Sequence, residues 1–502
     1  MHAPLVALRS SLVASGVLDA PWNPYQGLPL PLQLLLVVLL GLALIAFVVV
    51  SVLVVRAVRE LRRQRGAVAD GREQDFLWVY LVPALDEEVT IADSVGRILE
   101  VEATNRVMLV IDDGSGDRTP EILAELQTRT PDLQVLRREL PNAQHGKSAA
   151  LDDAWRYLHE HVLPQAAYRH WSTDRIIVGV VDADGRVASD SPRVLAGEFG
   201  DEGVGGVQSL VRIYNRGHIL TWAQHLEFAI TAFVYQLGRS QWGTANMGGN
   251  GQYMRLAALD DLVVEDGLPT GIERGPWRDR LTEDQDIGVR MMRAGWRGAQ
   301  TVLTTVDQQG VTNVRRLLRQ RIRWAQGAWQ TMPALGSVHE LRSPSISRLG
   351  HLLYLLSPAL QTVMGVGFVA ALAMLLVGDV AWLGSSPAFV VTFVIITLGP
   401  VYAALVIVAP GGAFRPLVAL AYLPLYLAYT WLIWPAFTVG LLRELLGVQG
   451  WAKTAREPLD ANLAGETADA AAVAVGTAVI TAITAATTIV GASQHEHRKR
   501  AA

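Results

Sequence analysis

Two aspartates one residue apart, Asp182 and Asp184, close the apolar run Arg175-Ile-Ile-Val-Gly-Val-Val-Asp-Ala-Asp-Gly185. In a strand alternate side chains share a face, so both carboxylates can reach one hard cation at the strand's C-terminal edge. Such a pair suits a magnesium or manganese ion beside a diphosphate, although Asp-Ala-Asp-Gly taken alone is also an ordinary turn sequence. A second acidic stretch follows strand-like Arg106-Val-Met-Leu-Val-Ile111, namely Asp112-Asp-Gly-Ser-Gly-Asp-Arg-Thr119. Thr119 is expected to cap a helix starting at Pro120, and strand, glycine-bearing turn and helix start together make a nucleotide-sized crevice. A third, Thr282-Glu-Asp-Gln285, opens a helical pattern and fits a capping box, with Thr282 as cap and Gln285 reaching back. Between them Met247-Gly-Gly-Asn-Gly-Gln-Tyr-Met-Arg255 is rich in glycine, which permits close backbone approach to a ligand, and is expected to form an acceptor-side loop.

These residues need a sheet to position them. From Asp75 to about Gly310, short β-rich runs alternate with helical patterns, the signature of an α/β domain with a largely parallel sheet. Phe76-Leu-Trp-Val-Tyr-Leu-Val82 is its expected first strand. Around that domain the chain is apolar. Leu28 to Val55 contains no charged residue, long enough at ~1.5 Å per residue to cross a hydrocarbon core of ~30 Å. Arg56, Arg59, Arg62, Arg63 and Arg65 follow, which places residue 56 onward in the cytoplasm and the N-terminus outside. With 51% hydrophobic and 18% charged residues, the chain is expected to be a soluble domain attached to membrane helices. A net charge of −4 argues against nucleic acid as a partner, and the lack of cysteine leaves oxygen or imidazole to hold any metal.

The stretch Asn313 to Gln330 carries two surfaces at ~100° per residue. Val314, Leu318, Ile322, Ala325 and Trp329 fall on one side, expected to lie at the membrane interface with Arg315, Arg316, Arg319 and Arg321 near anionic headgroups. Gln320, Arg323, Trp324 and Gly327 fall on the other, where an amide, a guanidinium and an indole could meet a diphosphate and a sugar ring. Further apolar spans are expected at 350–377, 387–409 and 416–442, with an interfacial helix around His351 to Gln361 as one way to reconcile them with Arg443, Lys453 and Arg456. Ala470 to Gln494 is a marginal extra span or a polar tail.

The ordered set Val82-Pro-Ala-Leu-Asp-Glu-Glu88, Asp112 to Thr119, His145-Gly-Lys-Ser-Ala-Ala-Leu151, Asp182-Ala-Asp184, Thr282-Glu-Asp284 and Gln320-Arg-Ile-Arg-Trp324 resembles the family 2 glycosyltransferases. More narrowly, it is similar to the membrane-embedded processive branch of cellulose, chitin, hyaluronan and poly-N-acetylglucosamine synthases. Asp86 departs from the asparagine usual there. The resemblance implies a GT-A-type α/β fold and an inverting transfer of a hexose or N-acetylhexosamine from a UDP-sugar, with Mg²⁺ or Mn²⁺ as cofactor. It implies Asp182 and Asp184 as metal ligands. Glu87, Asp112, Asp113, Lys147, Asp182, Gln320, Arg323 and Trp324 would serve the nucleotide sugar, and Asp284 the catalytic base. Asn250, Gln252, Tyr253, Glu283 and Trp324 are candidates for the acceptor side.

The expected layout is an extracytoplasmic 1–27, a span at 28–56, a cytosolic domain at 70–312, an interfacial region at 313–345, membrane helices at 346–445 and a tail at 446–502, with 470–494 as the weak extra span. The expected activity is synthesis and export of a polysaccharide by a multi-pass plasma-membrane enzyme in contact with membrane lipids. The alternatives are a non-processive transferase acting on a lipid-linked acceptor and a nucleotide-sugar-sensing transporter or channel.

Overall fold

A computed structural model describes residues 30–130, 132–263, 275–341, 344–377 and 387–448. The chain opens with helix α1 (Leu30–Asp70), followed by β1 (Leu77–Ala84), α2 (Ile91–Leu99), β2 (Arg106–Asp112), α3 (Thr119–Arg129), β3 (Leu133–Arg137) and α4 (Lys147–Tyr157). Next come β4 (Ile176–Val180), β5 (Arg186–Val187), α5 (Ser191–Phe199), β6 (Val204–Ile213) and α6 (Ile219–Ile230), which runs on through a π-helical stretch into the short α7 (Leu237–Ser240). The domain closes with β7 (Gln252–Arg255), α8 (Leu256–Asp260), α9 (Glu283–Arg293) and β8 (Arg297–Gln308). Helices α10 (Val314–Thr331), α11 (Ser345–Leu355), α12 (Ser357–Val377), α13 (Pro387–Val408), α14 (Arg415–Ile433) and α15 (Pro435–Leu445) follow.

Eight strands form one sheet in the order β3-β2-β1-β4-β7-β6-β8-β5. The half from β3 to β4 is parallel; β7 runs antiparallel to β4 and β6. Strand alternation splits β1 between two cores, because Leu77, Val79 and Leu81 join an apolar cluster on one face while Trp78, Tyr80 and Val82 join another. Burial on both faces is why these strands lack polar alternation in the sequence. The carboxyl ends of β1, β2 and β4 therefore line up, and the acidic loops that follow β2 and β4 leave from that edge.

α1 is one continuous helix of 41 residues rather than a span ending near residue 56. Its second half is held to the domain: Gln64 Nε2 donates to the Gln300 carbonyl at 2.6 Å, and Arg63 pairs with Glu60 and Glu198 at 2.6 Å each. Arg63 thus satisfies two buried carboxylates. Three helices of the described residues are long and apolar enough to cross a membrane, 32–66, 387–408 and 412–445; a fourth arises if α11 and α12, bent by 56° at their junction, count as one. The bend falls between Leu355 and Ser357, within the stretch 351–361 of the expected interfacial helix, and α11 buries His351 and Ser347. The expected N-terminal segment 1–27, Lys453, Arg456 and the 470–494 stretch lie outside the described residues.

Candidate active site

β4 ends at Val180, so Asp182 and Asp184 stand on a turn, not on the strand that would have placed them by alternation. The Gly185 N–H donates to the Asp182 carbonyl at 2.7 Å, which closes that turn. Asp184 is buried and accepts from the Gln309 N–H at 3.4 Å, whereas Asp182 is partly open and accepts from Lys147 Nζ at 2.7 Å. Asn250 braces the turn from behind: its Oδ1 accepts from the Asp182 N–H at 3.1 Å and its Nδ2 donates to Gln308 Oε1 at 3.0 Å. Among the described residues no three acidic or imidazole side chains gather where they alone could hold a metal. Two carboxylates fit Mg²⁺ or Mn²⁺ nonetheless, because such hard ions keep positions for water and substrate phosphate.

Lys147, at the start of α4, joins this turn to the start of α9. Its Nζ lies 3.4 Å from Glu283 Oε1 as well as 2.7 Å from Asp182. Burial would lower the lysine's pKa, but Asp182 and Glu283 more than offset it and the group is held firmly protonated. Gly249 explains how Asp284 comes so close. It adopts a φ of +82°, and a Cβ added there would sit 3.0 Å from Asp284 Oδ2 and 3.7 Å from Lys147 Nζ. Burial first, then the Glu283 charge, push the Asp284 carboxyl up to about 7, against the pull of Lys147. A carboxyl poised there can take a proton near neutrality.

On the other side of α4, Asp112 accepts from the Ser115 N–H at 3.0 Å and from Arg137 Nη1 at 2.8 Å. Asp113 accepts from Arg138 and from the Gln144 N–H, and burial raises its pKa despite these bonds. Asp86 has a φ of 51° and its Oδ1 accepts from the Gly116 N–H at 2.8 Å. Either aspartate or asparagine tolerates that conformation, so the departure noted in the sequence is structurally neutral. Glu87 is buried, with its carboxylate accepting from Thr90 Oγ1 and its N–H donating to Thr119 Oγ1. It ties two loops together rather than facing a ligand, and Thr119 is that bond's acceptor rather than a helix cap.

The family described as Glycosyltransferase like family 2 matches residues 79–327. Residues 79–327 form a family 2 glycosyltransferase domain. The chain is 32% identical over 254 residues to the β-monoglucosyldiacylglycerol synthase of Synechocystis sp., a match spanning 50% of this chain and 47% of that protein. It is 25% identical over 255 residues to the poly-β-1,6-N-acetyl-D-glucosamine synthase of Staphylococcus aureus, covering 50% and 55%. The chain thus spans about half the length of these curated relatives. The fold is similar to that of a mannosyltransferase from Pyrobaculum calidifontis solved with GDP-Man and Mn²⁺, at a TM-score of 0.51 and 18% identity, covering 82% of this chain and 100% of that one.

Within the family 2 domain several expected acceptor contacts are corrected. Asn250, Gln252 and Tyr253 are all buried. Tyr253 sits edge-on to Tyr80 inside the core and covers Gly179, because it points to the opposite face of β7 from Met254. Asn250 positions the Asp182 turn, as described, and does not face open space. Glu283 is turned to Lys147.

α10 does lie against the start of α9. A Cβ on Gly327 would fall 2.3 Å from Thr282 Oγ1, and Gln330 Oε1 accepts from the Leu281 N–H at 3.1 Å. Gln320, Arg323 and Trp324 share that helix's run, one to two turns before Gly327. Gln320 Oε1 is bonded to Arg321, and Trp324 carries the Arg321 guanidinium 4.2 Å over its ring. Arg321 itself is buried, paired with Glu227 at 2.6 Å and Tyr429 at 3.2 Å, so it belongs to the helix bundle and not to the headgroup surface. Trp329 likewise donates to the Phe437 carbonyl of α15 instead of facing lipid. The expected capping box is only partial: Thr282 is the cap residue, but its hydroxyl meets the Gln285 side chain at 3.5 Å and no backbone N–H.

Four residues escaped the sequence reading. Asn246 Nδ2 donates to Tyr354 Oη at 2.8 Å and to the Gln285 carbonyl at 3.2 Å, which sets α11 directly behind Asp284. Tyr354 has no local signature, since its meaning comes from a contact 108 residues away. Gln308 and Gln309 could have been found, because the polar run Asp307-Gln-Gln-Gly310 ends an apolar strand just as Asp182-Ala-Asp-Gly185 does.

Proposed function

We propose that this chain transfers a hexosyl or N-acetylhexosaminyl group from a UDP-sugar, with inversion, to a hydroxyl of an acceptor held at the membrane. The observation that carries this reading is the junction at Lys147, whose one ammonium touches Asp182 of the turn and Glu283 beside Asp284. Donor phosphates and acceptor hydroxyl are thereby kept within one sugar's reach. Mg²⁺ or Mn²⁺ at Asp182 and Asp184 would supply charge neutralisation for the leaving diphosphate. Lys147 steadies the same phosphates, Asp112 and Asp113 shape the nucleoside side, and Gln320, Arg323 and Trp324 close over donor and acceptor from α10. Asp284 accepts the proton of the attacking hydroxyl at its Oδ2.

For the acceptor we favour a lipid. Asp284 is backed by Asn246, Gln285 and Tyr354 of α11, a helix that bends directly into the apolar α12, so an acceptor arriving from the membrane meets the base first. The similarity to a diacylglycerol glucosyltransferase supports this reading. A growing polysaccharide, exported through the helices, is the second reading, supported by the similarity to a poly-N-acetylglucosamine synthase. In both, residues 70–312 face the cytoplasm.

The test is to incubate the detergent-purified protein and Mn²⁺ with UDP-glucose, UDP-galactose or UDP-N-acetylglucosamine, with and without diacylglycerol, and to follow UDP release and product size. A single sugar on an organic-extractable lipid supports the favoured acceptor. A high-molecular-weight glycan supports the second, and no UDP release from any donor with any acceptor contradicts both.

A further inference from the structure

Away from the acidic turn, the junction of α1, α7 and α11 gathers basic and donor groups with no anion among the described residues to meet them. Arg239 of α7 is nine-tenths buried, and its guanidinium lies 4.6 Å over the ring of Tyr354 without a carboxylate partner. Arg56 of α1 stacks 4.4 Å over the ring of Trp242 and donates only to Gln241 Oε1, at 3.2 Å. Trp242 Nε1 and His351 Nδ1 are buried and lack a hydrogen-bond partner among the described residues. α11 turns Ser347, Gly350, His351 and Tyr354 to this junction along one face, with Gly350 allowing the Trp242 ring to approach.

The electrostatics agree with the geometry. Burial lowers the pKa of Arg239, opposed by the phenols of Tyr354 and Tyr235. Burial and then Arg239 bring His351 down to about 4. A cation withdrawn from water with no anion beside it is costly to keep. The junction also has a defined depth. The backbone of Leu53 lies against Gly238, and Arg56 is the first charge after the apolar run of α1, which is where lipid headgroups stand if α1 spans the membrane.

We propose that Arg239, with Arg56, Trp242 and His351, forms a seat for the phosphate of an anionic membrane lipid, separate from the donor site and linked to Asp284 through Tyr354 and Asn246. The seat takes a headgroup phosphate on the Arg239 guanidinium, with Arg56 at its rim and the indole N–H as a further donor. Its occupant holds α11 in place behind the base.

The test uses the full chain in detergent, with thermal melting and native mass spectrometry after addition of phosphatidylglycerol, phosphatidylcholine or glycerol 3-phosphate. Phosphatidylglycerol should raise the melting temperature by several degrees and persist as a bound adduct, and phosphatidylcholine should do neither. Arg239→Gln should abolish the shift and Arg239→Lys should keep part of it; Arg56→Gln, at the half-buried rim, should at least halve it and serves as an independent probe where Arg239→Gln folds poorly. Equal shifts from both lipids, an unchanged shift in Arg56→Gln together with Arg239→Gln, or an equal shift from glycerol 3-phosphate at the same concentration would each overturn the lipid seat. Because binding is measured without sugar transfer, the seat can fail while the transferase reading stands, and the reverse.

Discussion

Gly249 is the residue on which the spacing of the charged groups turns. Its φ of +82° strains any side chain there, and an added Cβ would sit 3.0 Å from Asp284 Oδ2, so the carboxylate would have to shift. Gly249→Ala should therefore cost about 1 kcal/mol in backbone strain and displace Asp284, lowering kcat/KM by at least ~10-fold while the protein still melts cooperatively. A second consequence follows from the Asp284 carboxyl lying near 7 through burial and the Glu283 charge. The base works only when deprotonated, so kcat/KM, which reports the free enzyme, should fall as pH drops below about 7. Glu283→Gln removes one source of the upward push and should move that acid limb to lower pH in a pH–rate profile. An unmoved limb would mean that another group titrates there.

At the scale of elements, α10 couples the domain to the membrane helices through a buried charge. Arg321 joins Glu227 of α6 to Tyr429 of α14. Arg321→Met should destabilise the protein by roughly 3–5 kcal/mol by stranding Glu227, and Arg321→Met with Glu227→Leu should recover most of the loss, read as melting in detergent. Two single variants that melt like the parent would show the pair to be solvated. This element also marks where sequence reasoning reached and where it stopped. The helix over Asn313 to Gln330 and its two-sided pattern could be seen from spacing alone. The inward turn of Arg321 could not, because it depends on Glu227, 94 residues away, and on a tyrosine in an apolar helix. The acidic turn shows the same division: Asp182 and Asp184 stood out by type and spacing, but their delivery by a turn braced on Asn250 and Gln308 required the partner strand to be in place. Tyr253 misled because a tyrosine in a glycine-rich run suggests a ligand face, and only strand register shows it pointing into the core.

For the whole molecule, the mostly parallel sheet places the acidic loops after β2 and β4 on one edge, and Lys147 joins the second of these to the start of α9. The central claim is a division of labour: Asp182 and Asp184 serve the donor, and Asp284 serves the acceptor. The most direct measurement compares Mn²⁺-dependent UDP-sugar binding, by calorimetry, with steady-state sugar transfer in Asp284→Asn and in Asp182→Asn. Asp284→Asn should bind donor within about 3-fold of the parent yet transfer sugar ~10²–10⁴-fold more slowly, while Asp182→Asn should lose the metal-dependent part of binding itself. Asp284→Asn transferring at the parental rate, or losing donor binding as fully as Asp182→Asn, would contradict the account.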